Sequence, residues 1–363
     1  MAYICSTGVA IPPNNIQQDE IKQLVQQIFH DNDSRIKRLL PVFDNANVSN
    51  RQFVVDANWF TEDHTFQEKN DLYQTYAAEY AVKAVDDCLT NNYFLTRDIP
   101  YDAVDMLIFV SSTGIATPSL DVELMNKRPF AEDIKRMPLW GLGCAGGAIG
   151  LSRAVDWVKA NPDKSALVVC CELCSLTFQK QDLNKSNIIG SALFGDGISA
   201  ALVCGVDSML LEDRSSNLPI PKVIETSSLT KKDSTDVMGW NVNNNGLEVI
   251  FSKSIPALVH SFWQKHIESF LSKTALGRRQ IHSYISHPGG RKVIEAMESV
   301  LNESSSKFEK SYSVLREHGN MSSATVLFVL YEWMKEKIEK QEKSIISALG
   351  PGFSSELLLV EWI

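Results

Sequence analysis

The run Gly143-Cys144-Ala145-Gly146-Gly147-Ala148 is made of small residues and opens an apolar helix. A second run of the same kind, Gly319-Asn320-Met321-Ser322-Ser323-Ala324, opens another apolar helix later in the chain. Each run follows a short β-rich stretch, at residues 108–114 for the first and 284–289 for the second. A repeated strand–turn–helix order of this kind indicates an internal duplication.

The spacing within the two segments agrees as well as their order. The separation along the chain between Ser112 and Cys144 is nearly the same as that between His287 and Asn320. A further apolar strand follows each run, and it does so at nearly the same distance from Cys144 as from Asn320. We therefore predict a duplicated fold whose equivalent loops converge on one site, with residues 1–210 as the first half and residues 211–363 as the second.

The rest of the chain alternates between short apolar stretches and amphipathic ones. The apolar stretches predict strands at residues 106–111, 166–171, 199–203, 283–286, 344–348 and 357–362. The amphipathic stretches predict helices at residues 16–29, 76–89, 151–159, 254–273 and 324–337. This alternation predicts an α/β fold with helix-covered sheets.

The bulk composition excludes several classes of protein. The 363 residues carry a formal net charge of −9, which argues against a nucleic-acid surface but allows a local basic patch for an anionic small molecule. We see no signal peptide and no apolar stretch long enough for a membrane span. The seven cysteines, an odd number, predict free thiols and a cytoplasmic protein.

Three residues in the repeated segments are candidates for acyl-transfer chemistry. Cys144 precedes a helix, whose positive end favours a thiolate nucleophile, and the alternative is a buried structural cysteine. His287 is a natural partner for a thiolate, although histidine before Pro-Gly-Gly is also a common turn residue. Asn320 could donate its amide to an oxyanion, or only cap the next helix. Their equivalent places in the two halves favour a single site.

Five motifs together resemble the chalcone synthase-type, or type III, polyketide synthases. They are Gly-Cys-Ala-Gly-Gly at 143–147, Ala-Leu-Phe-Gly-Asp-Gly at 192–197, Ser-His-Pro-Gly-Gly at 286–290, Gly-Asn-Met-Ser-Ser-Ala at 319–324 and Gly-Pro-Gly-Phe at 350–353. The resemblance covers essentially the whole chain. It implies a thiolase-type duplicated α/β fold (αβαβα), a homodimer, and an acyl-CoA starter and malonyl-CoA as substrates, with no metal and no cofactor.

The resemblance also implies roles for individual residues. Cys144 matches the acyl-bearing nucleophile, and His287 and Asn320 match the decarboxylation pair. Phe194 matches the aromatic gatekeeper between the CoA tunnel and the cavity, and Thr117 matches the residue that crosses the dimer interface. The positions that match the cavity lining are Ser112, Cys174, Thr177, Gly190 and Ser322.

Two regions depart from the plant members of that family. Their Lys- and Arg-rich stretch for CoA phosphates is reduced here to Arg35 and Arg38, for which a solvated helix face is the alternative. Val249 and Phe251 stand where the plant pattern places its second pocket aromatic differently. The small-residue context of Cys144 is similar to bacterial members that extend fatty acyl starters. We therefore expect a fatty acyl starter and an alkylpyrone or resorcinol-type product.

Other interpretations of these residues stay open. A carrier-protein-dependent ketoacyl synthase III or a hydroxymethylglutaryl-CoA synthase would share the fold, and a cysteine acyl hydrolase would share the trio. A catalytically silent dimeric binding protein is a further alternative. Cys171 and Cys174 have the spacing of a redox or zinc half-site, but no second pair accompanies them and we favour a pocket wall.

Overall fold

The computed structural model describes residues 1–29, 34–215 and 217–363. The strands are β1 (Ala2–Ala10), β2 (Asn14–Gln17), β3 (Asn50–Phe53), β4 (Met106–Ser111), β5 (Lys135–Trp140), β6 (Ser165–Leu173), β7 (Asp196–Gly205), β8 (Pro221–Thr230), β9 (Met238–Asn243), β10 (Gly246–Phe251), β11 (Ile281–Ser286), β12 (Lys343–Gly350) and β13 (Ser354–Trp362). The helices are α1 (Gln18–Ile28), α2 (Ser34–Leu39), α3 (Pro41–Asn45), α4 (Phe66–Thr90), α5 (Leu120–Lys127), α6 (Gly146–Ala160), α7 (Lys185–Leu193), α8 (Ile255–Leu258), α9 (Gln264–Lys273), α10 (Arg291–Leu301), α11 (Glu309–His318) and α12 (Thr325–Met334). A π-helical turn, Val259–Trp263, joins α8 to α9.

The predicted strands all lie within observed ones, and the predicted helices differ from observed ones mainly at their ends. Helix α4 begins earlier than predicted, at Phe66, because Thr65 and Glu68 form a capping box that sets its start. The helix predicted from residue 16 begins at Gln18, since the residues before it pair as strand β2 with β3. Every residue of β6 and β7 is buried, as expected for strands covered on both faces.

The duplication is visible in the strand order of the nine-stranded sheet, which runs β11-β12-β13-β8-β1-β7-β6-β4-β5. The order β4-β6-β7-β1 in the first half matches β11-β12-β13-β8 in the second. The directions match too, because the first pair of each half is parallel and the next two pairs are antiparallel. Strands β1 and β8 pair where the halves meet.

The helices form layers around this sheet. Helices α6 and α12 contact each other and contact strands of both halves, so they form a central layer. Helix α4 packs on β1, β6 and β7 of the first half, and α9 packs on β13 of the second. The predicted α/β class and layered, duplicated architecture are confirmed. No helix in the described ranges is both long and apolar enough to cross a membrane.

The two small-residue runs meet at the starts of the central helices. A Cβ atom added to Gly147 would lie 2.3 Å from the Ser323 carbonyl oxygen, and one added to Gly146 would lie 3.0 Å from the Ser323 Cβ. Only glycine permits backbones to approach so closely. The equivalent loops of the two halves therefore converge, as the repeat predicts.

Candidate active site

Cys144 lies in a 3₁₀ turn, Gly143–Ala145, between β5 and α6. Gly143 in this turn has φ +47°, a conformation that favours glycine. A Cβ added to Gly143 would lie 2.8 Å from the ring of Pro351, and one added to Gly350 would lie 2.7 Å from the Ala145 backbone nitrogen. The Gly-Pro-Gly-Phe motif thus packs directly against the turn that presents the cysteine.

Asn320 approaches the cysteine from the second half of the fold. Its Nδ2 lies 4.0 Å and its Oδ1 3.9 Å from Cys144 Sγ. The backbone N–H of Ser322 donates to Oδ1 at 2.8 Å, which orients the amide. Nδ2 donates to the Gly289 carbonyl at 3.4 Å, so the amide bridges the cysteine and the histidine motif.

His287 is buried beside the same glycine. A Cβ added to Gly289 would lie 3.8 Å from His287 Nε2, and the His287 backbone N–H donates to the Ser347 carbonyl at 2.7 Å. Within the described parts of the chain, neither ring nitrogen has a hydrogen-bond partner. Buried polar atoms normally have partners, so an unpaired buried imidazole is suited to a ligand. Burial lowers the pKa of His287 to about 3, which keeps the ring neutral at pH 7.

Burial acts in the opposite direction on the cysteine. Burial raises the pKa of Cys144 to about 12. A hydrogen bond with Ser322 lowers this pKa in part, whereas the charge of Glu172 raises it further. Burial therefore opposes formation of the thiolate, which the helix N-terminus favours. Both pKa shifts favour the neutral forms of the thiol and the imidazole at pH 7.

Glu172, on strand β6, is a buried carboxyl group behind the site. It accepts hydrogen bonds from the backbone N–H of Ser112 at 3.1 Å, from the Ser112 hydroxyl at 2.9 Å and from Thr113 Oγ1 at 2.9 Å. Ser323 also donates to it. Burial, only partly offset by these donors, raises the pKa of Glu172 to about 7. Glu172 therefore links the strand β4 end to the loop of Asn320.

Most of the predicted pocket residues line two adjoining cavities. A small central cavity of about 30 Å³ is lined by Cys144 and by Phe194, Val249, Phe251 and Ser322. A narrow crevice of about 50 Å³ beside it shares Phe194 and Val249 and adds Cys174, Thr177 and Gly190. Ser112 differs, because it is buried against Glu172 and lines neither cavity.

Phe194 lines both cavities, and its ring lies close to Gly190 and to another aromatic ring. A Cβ added to Gly190 would lie 3.1 Å from the Phe194 ring, and the ring lies 6.1 Å from that of Trp240. The Phe194 position therefore fits a gatekeeper. Trp240, on strand β9, lines the central cavity as well and was missed, because a lone tryptophan in a hairpin gives no sequence signal.

A wider cavity of about 370 Å³ lies beside the site. It shares Phe251 with the central cavity and includes Gly289, which touches the Asn320 amide. Its described lining contains no acidic residue and five basic ones: Arg38, Lys185, Lys253, Arg291 and Lys292. The last four were missed, although Arg291 and Lys292 directly follow the Ser-His-Pro-Gly-Gly motif. The side chain of Arg35 lies outside the described residues.

The remaining predicted residues lie elsewhere. Thr117 is exposed in the loop between β4 and α5, next to the exposed apolar side chains of Ile115 and Trp140. Cys171 is buried and its thiol donates to the Ala77 carbonyl at 3.8 Å. Because Cys174 lines the crevice, the pair fits a pocket wall.

Comparison with known proteins agrees with this geometry. The family model for the N-terminal domain of chalcone and stilbene synthases matches residues 1–208, and the model for their C-terminal domain matches residues 227–363. A putative chalcone synthase of Bacillus subtilis is 45% identical over 364 residues, covering 100% of this chain and 99% of the relative. The alpha-pyrone synthesis polyketide synthase-like Pks18 of Mycobacterium tuberculosis is 28% identical, covering 100% of this chain and 92% of the relative.

Among solved structures, the 1,3,6,8-tetrahydroxynaphthalene synthase of Streptomyces coelicolor, described as a bacterial type III polyketide synthase, superposes with a TM-score of 0.88 at 26% identity. The match covers 99% of each chain. The chain belongs to the chalcone and stilbene synthase family of type III polyketide synthases. The predicted thiolase-type fold and membership of this enzyme family are thereby confirmed.

Proposed function

We propose that this enzyme condenses malonyl-CoA onto a fatty acyl-CoA starter by decarboxylation, with Cys144, His287 and Asn320 as catalytic residues. The observation that carries the proposal is the pair of groups near the nucleophile: the Asn320 amide nitrogen lies 4.0 Å from the Cys144 sulfur, and the buried His287 imidazole has no hydrogen-bond partner in the described parts of the chain. Two neutral N–H donors next to a nucleophile suit a reaction in which negative charge develops on a thioester oxygen.

The first step loads the starter. The Cys144 sulfur attacks the acyl-CoA carbonyl, and its proton passes to His287 and then to the departing CoA sulfur. Because thiol and imidazole are both neutral at rest, the proton moves as the sulfur–carbon bond forms. The products of this step are an acyl-Cys144 thioester and free CoA.

The second step uses malonyl-CoA. Loss of CO2 leaves an enolate, whose oxygen accepts hydrogen bonds from His287 and from Asn320 Nδ2. The enolate carbon then attacks the acyl-Cys144 thioester and releases the Cys144 sulfur. The product is an acyl-CoA whose chain is two carbons longer. A single donor of this kind contributes roughly 10²–10³ in rate. Return of the extended chain to Cys144 permits another round.

The crevice supports a fatty acyl starter. Beyond Phe194 its walls are formed by the apolar face of helix α1 and by aromatic rings, namely Ile21, Leu24, Val25, Ile28, Phe53, Phe60 and Phe178. Burial of each methylene of a starter against such walls contributes about 0.8 kcal/mol. A polar starter would gain less from these apolar walls.

The basic cavity supports CoA as the carrier of both substrates. CoA carries phosphate groups, and five basic side chains converge here on a chain whose net charge is −9. Arg291 also pairs with Glu295 at 2.7 Å, which leaves the other four as the principal cations. Charge-assisted bonds to phosphate are the strong type of hydrogen bond in proteins.

We propose an alkylpyrone as the simplest product, with a resorcinol as the alternative. A pyrone needs only attack of an enol oxygen on the thioester, which requires little room, and the cavity around Cys144 measures about 30 Å³. The name of the M. tuberculosis relative refers to alpha-pyrone synthesis.

We also propose a cytoplasmic homodimer. In the described parts of the chain β5 pairs only with β4, so it leaves an edge whose side chains are largely exposed. Ile115 and Trp140 are 41% and 50% exposed beside this edge, close to Thr117, and a partner copy would cover them. All seven cysteines are free, in keeping with a reducing compartment.

Incubation of the purified protein with acyl-CoAs of graded length and labelled malonyl-CoA tests the function. We expect products whose masses equal the starter acyl group plus labelled two-carbon units, with the highest yield from aliphatic starters. Release of free acid without any malonyl-dependent product would overturn the proposal in favour of a hydrolase.

A further inference from the structure

Arg51, on strand β3, is a fully buried cation that also lines the crevice, and no step of the proposed mechanism uses its charge. Its exposed fraction is 0%, and its guanidinium makes three hydrogen bonds. Burying a charge in this way is costly unless it is bonded and compensated. Its hydrogen-bond partners therefore indicate which part of the structure the charge stabilises.

One side of the guanidinium holds the end of helix α7. Nη1 donates to the carbonyl of Ser191 at 2.7 Å and to that of Phe194 at 2.9 Å. The last carbonyls of a helix have no partner within the helix and carry its negative end, so a cation binds well there. Nη2 donates to Gln18 Oε1 at 2.6 Å, which fixes the plane of the group.

The stem of Arg51 touches a second segment, the one that carries Asn320. A Cβ added to Gly319 would lie 2.8 Å from Arg51 Cδ, and Gly319 has φ +71°. The two segments run parallel and form a β-bridge between Phe194 and Asn320. In this bridge Asn320 N–H donates to the Leu193 carbonyl at 2.7 Å, and Gly195 N–H donates to the Asn320 carbonyl at 3.0 Å. Arg51 thus contacts both of the segments that this β-bridge joins.

Compensation for the charge comes from Asp196, the first residue of β7. Its buried carboxylate accepts from Ser175 N–H at 2.7 Å, from the Ser175 hydroxyl at 2.6 Å and from Val54 N–H at 2.9 Å. Burial lowers the pKa of Arg51 to about 9 while Asp196 opposes that shift, so Arg51 stays charged at pH 7.

We propose that Arg51 is a positioning residue that holds Phe194 and Asn320 in register, and so sets both the efficiency of decarboxylation and the length of acyl chain admitted past Phe194. This inference rests on the proposed function, because it assigns Arg51 to the same site. It acts through Phe194 and Asn320 and does not itself touch the reacting atoms.

The test compares Arg51→Met, which keeps the stem and removes every donor, with Arg51→Lys, which keeps the charge. Alkylation by labelled iodoacetamide measures the fraction of enzyme molecules that have a native active site. The rates of starter loading and of malonyl-CoA decarboxylation are then expressed per labelled molecule. We expect Arg51→Met to lower decarboxylation by about 10²-fold, as a displacement of about 1 Å does, and to lower loading much less. Arg51→Lys should recover part of the loss, and the product length distribution should shift in both variants.

A merely structural role gives a different result. Phe270→Leu, a core change in α9, serves as the control that lowers the melting temperature without touching the segments of Phe194 and Asn320. If Arg51→Met, like this control, loses native sites but keeps the wild-type ratio of decarboxylation to loading and the wild-type product lengths, the inference is wrong. Should Arg51→Met not fold, Gln18→Ala removes the Nη2 acceptor and should change the same ratio in the same direction.

A readout without turnover separates this inference from the proposed function. Displacement of Phe194 would widen the cavity around Cys144, so a bulky maleimide should label Cys144 faster relative to iodoacetamide in Arg51→Met than in wild type. If this selectivity changes while the wild type makes no malonyl-dependent product, the proposed function fails and the positioning role stands. Unchanged selectivity in an active enzyme would overturn the positioning role alone.

Discussion

The side-chain amide of Asn320 lies 4.0 Å from the sulfur of Cys144, although 176 residues separate the two in the chain. The duplicated fold produces this contact, because Cys144 lies in the 3₁₀ turn before α6 and Asn320 lies just before the equivalent 3₁₀ turn, Ser322–Ala324, which leads into α12. The amide is turned toward the sulfur and Gly289 because its oxygen accepts the Ser322 N–H. The Asn320 amide is therefore held beside the Cys144 sulfur.

Replacement of Asn320 should separate the two chemical steps. In Asn320→Ala the enolate loses one of its two donors, so malonyl-CoA decarboxylation should fall by roughly 10²–10³-fold while starter loading falls less. Release of labelled CO2 and acylation of Cys144 report the two rates. Asn92→Ala, at an exposed turn, is the control and should leave both rates unchanged. Equal losses in the two steps would contradict the division of roles.

The protonation state of Cys144 can be measured through its alkylation rate. Because burial raises its pKa to about 12, the thiolate fraction should increase about tenfold for each pH unit up to pH 9. The rate of iodoacetamide reaction, measured on the peptide that contains Cys144, should rise accordingly without a plateau. A rate that is already constant above pH 6 would instead indicate a resting thiolate paired with a protonated His287.

The length of starter should depend on the walls of the crevice. Leu24→Trp adds bulk to the α1 side of the crevice, so kcat/KM for long acyl-CoAs should drop by about tenfold or more relative to short ones. Gln23→Trp adds the same ring one residue earlier on the exposed face of α1 and should leave the preference unchanged. A uniform loss over all chain lengths in Leu24→Trp would argue that the crevice does not hold the starter.

Glu172 should make the stability of the protein depend on pH. Its pKa is raised from 4.5 to about 7 on folding, so its stabilising contribution is complete below pH 4.5 and is lost as the pH rises through 7. The loss amounts to about 3 kcal/mol in the free energy of unfolding. Glu172→Gln does not titrate, so its stability relative to wild type should improve by that amount between pH 4.5 and pH 8.

Denaturant unfolding at several pH values provides the measurement. The exposed Glu339→Gln is the control, and its stability relative to wild type should not vary with pH in this range. A constant difference between Glu172→Gln and wild type would show that Glu172 does not change protonation on folding.

The order of elements and the convergence of the two loops could be predicted from the sequence, because small residues before apolar helices repeat at matched spacing. The cysteine, histidine and asparagine could be named as candidates for the same reason. Arg51 and Trp240 could not be found, since their contacts join segments far apart in the chain and neither has a periodic or motif signal. The protonation states were also beyond the sequence, because burial, which sets both pKa values, depends on the packed fold.

The most direct test of the account is to follow one labelled acyl group through the enzyme. After incubation with a labelled fatty acyl-CoA, the label should be found on the peptide that contains Cys144, and it should be absent in Cys144→Ala. Addition of unlabelled malonyl-CoA should then move the label into a longer product. Label on a different cysteine, or its release as free acid at a rate that malonyl-CoA does not affect, would contradict the central claim.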